Sequence, residues 1–224
     1  MKNNFSTSKV LENNKNLQAV GKSIIFHPLN IVFLTSGKSR GSNFESIVKY
    51  IYKNKLPISM KFLIVTRPDA PIIQRAENNN VKWILLSDKN NFEQDLLGLL
   101  SQYNVHLVVL AGFMRKLSPN FLNKFKGKII NIHPALLPKY GGKGMYGMRV
   151  HQAVFENNEK FSGVTVHFVN EEYDAGEIIF QEKIPIDHLK SAEEIAHEVL
   201  KIEHEIYPKV IEKLAYQFFS DLID

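Results

Sequence analysis

From Asn30 onward the chain alternates short apolar runs with longer segments of helical period, and nothing else in it constrains the fold as strongly. Ile31-Val32-Phe33-Leu34 is the first such run and reads as a buried strand. It ends in Thr35-Ser36-Gly37-Lys38-Ser39-Arg40-Gly41-Ser42-Asn43. Phe44 to Asn54 then reads as a helix with Ile47, Val48 and Ile51 on one face. Further strands are expected at 61–66, 81–86, 105–111 and 128–133. Helical patterns lie between them at 70–79 and 91–103, with a shorter one near 118–125. Alternation of this kind predicts an α/β class, a mainly parallel twisted sheet with right-handed crossovers and helices on both faces.

The pattern changes after a long loop over 134–148. A helix is expected near 149–157, then a strand pair, Gly163 to Val169 and Glu177 to Ile184, joined through Asn170 to Gly176. One long helical segment ends the chain. Ser191-Ala192-Glu193-Glu194 fits a capping box, in which Ser191 caps the amide of 194 and Glu194 reaches back. Ile195, Val199, Ile202 and Ile206 form its apolar stripe, and Pro208 is expected to kink it. Residues 1–29 are rich in Asn, Lys and Ser without a sustained period, so a mobile polar extension is expected ahead of one domain over 30–224.

Composition narrows the function classes. With 44% hydrophobic and 23% charged residues, the 224-residue chain has the values of a soluble globular protein. No apolar run approaches the roughly 20 residues a bilayer crossing needs, and the N-terminus lacks a signal-type apolar segment. Cysteine is absent, which removes disulfides and cysteine metal sites. These features point to the cytoplasm. The balance of 28 basic against 23 acidic residues gives +5, which suits a small anionic substrate. No basic stripe with interleaved aromatics is present, so neither nucleic acid nor membrane is an expected partner.

Asn131-Ile132-His133-Pro134 stands where chemistry is expected. It follows the apolar Lys128-Ile129-Ile130, and side chains alternate along a strand, so Asn131 and His133 share a face. Pro134 ends the ladder, and Pro138 keeps the following Ala135 to Tyr140 irregular. An amide donor and an imidazole thus meet at the carboxyl end of a strand, where open parallel sheets bind ligands. The pair suits a reaction that develops charge on a carbonyl oxygen. On residues alone a second reading stays open, in which both satisfy backbone groups of the loop.

Several separated motifs occur together and in order: Gly41-Ser42-Asn43, Ala111-Gly112-Phe113-Met114-Arg115, Asn131-Ile132-His133-Pro134 with Leu136-Leu137-Pro138-Lys139-Tyr140, and Asp174-Ala175-Gly176. Over Asn30 to about Lys213 the chain resembles the folate-dependent formyltransferases, and within them the purine-biosynthesis branch that acts on glycinamide ribonucleotide. The resemblance implies a Rossmann-like formyltransferase fold and transfer of a formyl group from 10-formyltetrahydrofolate to the ribonucleotide amine. Asn131, His133 and Asp174 are then the catalytic set, with Asp174 beside the histidine and raising its pKa. Gly41, Ser42 and Asn43 would bind the phosphate at a helix N-terminus, and Glu203 would hold the ribonucleotide. The folate would lie along the backbone of Met114, Arg115, Lys116 and Leu117, facing Asn131 and the loop from Val169 to Asp174, with Lys89 near its tail. Lys116 stands where an apolar residue is common in the family, and Ala135 where a serine is common. Lys38 and Arg40 would add phosphate contacts. A monomer or homodimer without metal is expected.

Other motifs fall away. Gly37-Lys38-Ser39 would need a glycine at position 32 to be a P-loop, and that residue is Val. His197-Glu198 is followed by Lys201 rather than a second histidine, which removes a zinc site. His106 and His167 lie in apolar strands and read as satisfied core residues. Gly141, Gly142, Gly144 and Gly147 suggest a mobile flap over 139–151. Within the resemblance, a formyltetrahydrofolate hydrolase carries a further N-terminal regulatory domain, and the tRNA-acting branch a further C-terminal one. A catalytically inactive nucleotide- or folate-binding homologue is the remaining alternative, and Asn131, His133 and Asp174 together weigh against it.

Overall fold

Each apolar run becomes a strand of one seven-stranded sheet in the computed structural model, which describes residues 27–36, 40–87 and 91–220. Most of the extension expected over 1–29, together with Gly37-Lys38-Ser39 and Lys89, lies outside those residues. The strands are β1 (Leu29–Thr35), β2 (Ile58–Val65), β3 (Trp83–Leu85), β4 (Leu107–Leu110), β5 (Lys128–His133), β6 (Phe161–Phe168) and β7 (Ile178–Pro185). Between them run α1 (Ser42–Asn54), α2 (Ile72–Asn78), α3 (Phe92–Gln102), α4 (Pro119–Lys124) and α5 (Met148–Glu156), and α6 (Ala192–Ser220) closes the described chain. None of these helices is long and apolar enough to cross a membrane.

The strand order is β3-β2-β1-β4-β5-β6-β7. β1 to β5 pair in parallel, β6 pairs antiparallel with β5, and β7 antiparallel with β6. The chain steps outward from β1 to β3, then returns to lay β4 on the other side of β1. That reversal opens a crevice beyond the carboxyl ends of β1 and β4.

Alternation along β1 divides the core. Ile31 and Phe33, wholly buried, join Phe44, Ile47 and Val48 of α1 and Val199, Tyr207 and Ile211 of α6 on one face. Val32 and Leu34, equally buried, join Phe62, Ile64, Leu96 of α3 and Phe121 of α4 on the other. A strand buried on both faces has no polar side, which is why these runs are continuously apolar.

Some boundaries differ from expectation for local reasons. β3 is only Trp83–Leu85, because it is an edge strand pairing with Leu63 to Val65 alone. Val105 is buried, but its amide bonds the Leu100 carbonyl at the end of α3, at 2.9 Å, and so precedes β4. At the start of α6 the Glu194 amide donates to Ser191 Oγ at 3.1 Å, as a capping box requires. The reciprocal bond comes from the amide of Lys190, at 2.8 Å, one residue earlier than the motif specifies. α6 continues without a break through Pro208.

Candidate active site

The crevice is built from the ends of β1, β4 and β5 and from the turn between β6 and β7. β5 delivers Asn131 and His133 on one face, with His133 97% removed from solvent at 3% exposure. The loop after it is held from β6 and β7. The buried Thr165 hydroxyl donates to the Ala135 carbonyl at 2.6 Å and accepts from the Leu137 amide at 3.1 Å. Gln181 Nε2 donates to Thr165 Oγ1 at 2.8 Å and to the Leu137 carbonyl at 3.0 Å.

Asp174 reaches the same place from the β6–β7 turn. Its Oδ2 lies 3.5 Å from His133 Nδ1, and its Oδ1 lies 3.7 Å from His167 Nε2. His167 pairs with Asn131 across the β5–β6 ladder, and Asn131 Nδ2 stands 3.4 Å from His167 Nε2. His167 Nδ1 donates to the Phe168 carbonyl at 2.8 Å, which turns Nε2 towards Asn131 and Asp174. The catalytic set expected from sequence is therefore brought together, with one carboxylate between two histidines. His167 is buried as a core residue would be, yet its ring joins Asn131 to Asp174. Its setting in Val164-Thr165-Val166-His167-Phe168 hides that, and only its register opposite Asn131 marks it.

His133 Nε2 donates to the Tyr140 carbonyl at 2.7 Å. Asp174 and that carbonyl both favour the charged imidazole, but burial outweighs them and His167 adds to it, so the His133 pKa lies below its ordinary value. The sequence expectation that Asp174 raises this pKa describes one contribution, not the net result. Desolvation dominates because so little of the ring meets water.

The residues expected to hold the ribonucleotide form a second cluster. Gly41 caps α1 at φ 78 and ψ 26 without a side-chain cap, and a Cβ there would stand 2.4 Å from Ile72. The turn therefore needs a glycine, and the helix amides with their dipole face the crevice end of β1. Asn43 Nδ2 donates to Glu203 Oε2 at 2.7 Å, joining α1 to α6. Burial drives the Glu203 carboxyl up to about 7, against the lowering effect of Asn43. Asn43 Oδ1 is itself buried with no partner. Arg75 of α2 pairs with Glu45 in the first turn of α1, a contact sequence alone did not suggest. Arg40 is exposed, and Lys38 is outside the described residues.

The segment expected to face the folate follows β4. The Met114 amide donates to Ser36 Oγ at 2.7 Å, and the Ser36 amide to the Gly112 carbonyl at 3.3 Å, linking the ends of β1 and β4. Arg115 lies over the Phe92 ring at 4.5 Å, and Lys116 over the Tyr173 ring at 5.8 Å. Leu117 is buried in the core. Glu93 accepts from the Ser118 amide at 2.7 Å and from its hydroxyl, fixing the far end of the segment. The Val169 amide donates to the Ile129 carbonyl at 2.9 Å.

The formyl transferase family model matches residues 29–211, and the chain belongs to the formyl transferase family. Its relatives there carry a more specific name. It is 36% identical over 188 residues to phosphoribosylglycinamide formyltransferase of Escherichia coli, covering 82% of this chain and 85% of that one. It is 38% identical over 188 residues to the chloroplastic phosphoribosylglycinamide formyltransferase of Vigna unguiculata, spanning 82% of this chain and only 59% of that relative's length. The crystal structure of glycinamide ribonucleotide transformylase 1 from Symbiobacterium toebii superposes with a TM-score of 0.77 at 31% identity, over 88% of this chain and 93% of that one.

Proposed function

We propose that this chain transfers the formyl group of 10-formyltetrahydrofolate to the amine of 5′-phosphoribosylglycinamide, giving N-formylglycinamide ribonucleotide and tetrahydrofolate in purine biosynthesis. The observation that carries the reading is Asp174 lying 3.5 Å from His133 Nδ1 and 3.7 Å from His167 Nε2, with Asn131 completing the cluster. The relatives' names support the choice of acceptor.

The chemistry is direct acyl transfer. The uncharged amine attacks the formyl carbon, and negative charge develops on the formyl oxygen. Asn131 offers that oxygen a donor: one Nδ2 hydrogen faces His167 and the second is directed elsewhere. His133 supplies an N–H, exchanging one of its present partners for the oxyanion. Its suppressed pKa makes the resting ring neutral, so it acquires positive charge only as the oxyanion forms beside it, and Asp174 balances that charge. The amine loses one proton, and the folate nitrogen that leaves carbon gains one. Asp174 with the histidines provides the relay. Gly41, Ser42, Asn43 and Glu203 hold the ribonucleotide, and Lys89, Met114, Arg115, Lys116, Leu117, Asn131 and Val169 line the folate. A cytoplasmic monomer or homodimer completes the proposal, and sedimentation velocity distinguishes the two assemblies.

The test is donor loss followed by absorbance, with and without the ribonucleotide. Consumption that requires the ribonucleotide is expected. Consumption in its absence would instead mark a hydrolase, and none in either case a binding protein. Removing a single oxyanion donor typically costs about 100- to 1000-fold in turnover. Asn131→Ala should lose that much kcat while ribonucleotide affinity, measured by calorimetry, holds.

A further inference from the structure

The glycine-bearing loop gives the site two backbone groups. The Tyr140 carbonyl accepts from His133 Nε2 at 2.7 Å, and the Gly142 amide donates to Asp174 Oδ2 at 2.9 Å. One short stretch thus holds both titratable members of the catalytic cluster from behind. The Tyr140 backbone is unusual, at φ 58, and Gly142 follows at φ 93, which glycine adopts freely. Left-handed backbone at a bulky residue costs energy and persists only where surrounding contacts impose it.

The imposing contacts converge on a residue outside the site. Glu159 lies between α5 and β6, and its Oε1 accepts from the Tyr140 hydroxyl and from Lys139 Nζ, each at 2.9 Å. Its backbone is itself fixed, the amide bonding the Val154 carbonyl at 3.3 Å. We infer that Glu159 is a positioning residue: by gripping Lys139 and Tyr140 it sets the Tyr140 carbonyl on His133 and the Gly142 amide on Asp174. The inference rests on reading Asn131, His133 and Asp174 as the reacting site.

Glu159→Ala and Glu159→Gln separate the role from general stability, because the amide keeps an acceptor for the Tyr140 hydroxyl and loses only the ion pair. Three readouts on the full chain are expected to move together. Amide exchange at Gly142 rises about tenfold in Glu159→Ala. The ¹⁵N shifts of ligand-free His133 lose their Nε2–H bias, and its titration midpoint falls, since the Tyr140 carbonyl now favours the charged ring. Turnover drops roughly three- to tenfold, the range one ion pair and one hydrogen bond support, with KM for the ribonucleotide unchanged and most of kcat restored by Glu159→Gln. If Glu159→Ala fails to fold, Tyr140→Phe removes the hydroxyl contact alone and should move exchange and ¹⁵N shifts the same way. Unchanged Gly142 exchange and an unchanged His133 spectrum overturn the inference. Both are read without substrate, so they decide it even if the wild-type chain consumes no donor.

Discussion

Glu203 shows how one side chain ties the proposed ribonucleotide site to stability. It is 8% exposed, faces Asn43 at 2.7 Å, and holds its proton up to about 7 where a carboxyl ordinarily loses it near 4.5. The folded chain therefore binds more protons than the unfolded chain between those values, and stability must fall as pH rises through that window. At roughly 1.4 kcal/mol for each pH unit, the loss is of order 3 kcal/mol as an upper bound. Glu203→Gln keeps an acceptor for Asn43 and abolishes the titration. Its melting temperature should match wild type near pH 4 and exceed it by several degrees at pH 8, while ribonucleotide affinity weakens. Equal pH profiles for the two proteins would show that the carboxyl is not held neutral. Asn131, His133 and Asp174 were legible because their motifs are distinctive and their spacing places them at strand ends and a turn. His167 was not, since a histidine among valines on a buried strand looks the same whether or not its ring meets a carboxylate. The net direction of the His133 pKa was equally out of reach, because it depends on how completely the ring is buried.

At the scale of elements the alternation of apolar runs was sufficient to give β1 to β7, their parallel core and the helices between. What it missed lay at edges and in loops, where pairing partners rather than periodicity set the boundary, as in β3. α5 carries the least expected element-level feature. His151 on it is 6% exposed, its Nδ1 is buried without a partner, and burial with the nearby His133 pushes its pKa down to about 4. The unfolded chain takes up this proton near 6.5 and the folded chain only near 4. Stability from this residue is therefore complete above 6.5 and is lost as pH falls towards 4. His151→Leu fills a similar volume without a titrating group, so its melting temperature relative to that of the wild type should rise as pH falls from 6.5 to 4. A thermal scan at half-unit intervals reads this directly, and parallel curves would refute it. The slope is opposite to that of Glu203, so the two variants distinguish an α5 contribution from an α6 one within an overlapping window.

The whole molecule depends on how α6 crosses the sheet beneath the crevice. β4 and β5 remain paired only from Leu107 with Lys128 to Val109 with Ile130, and β5 then continues to His133 while β4 ends at Leu110. The β4–β5 ladder ends there, at the Leu110 and Ile130 carbonyls. The wholly buried Tyr207 of α6 places its hydroxyl between them, donating to Leu110 at 3.0 Å and to Ile130 at 3.2 Å, one proton shared by two acceptors. Glu203 lies one turn earlier on the same helix, so a single face of α6 both bonds the two strand ends and reaches Asn43 on α1. Tyr207→Phe preserves the ring packing and removes both bonds, a loss of about 1–3 kcal/mol. In a domain of this size that corresponds to a fall of roughly 2–12 °C in melting temperature. Because Ile130 immediately precedes Asn131, turnover of the variant should fall as well, and more steeply than ribonucleotide affinity. If Tyr207→Phe instead melts with wild type and turns over normally, the strand ends are held apart by packing alone, and the hydroxyl is not what fixes the crevice.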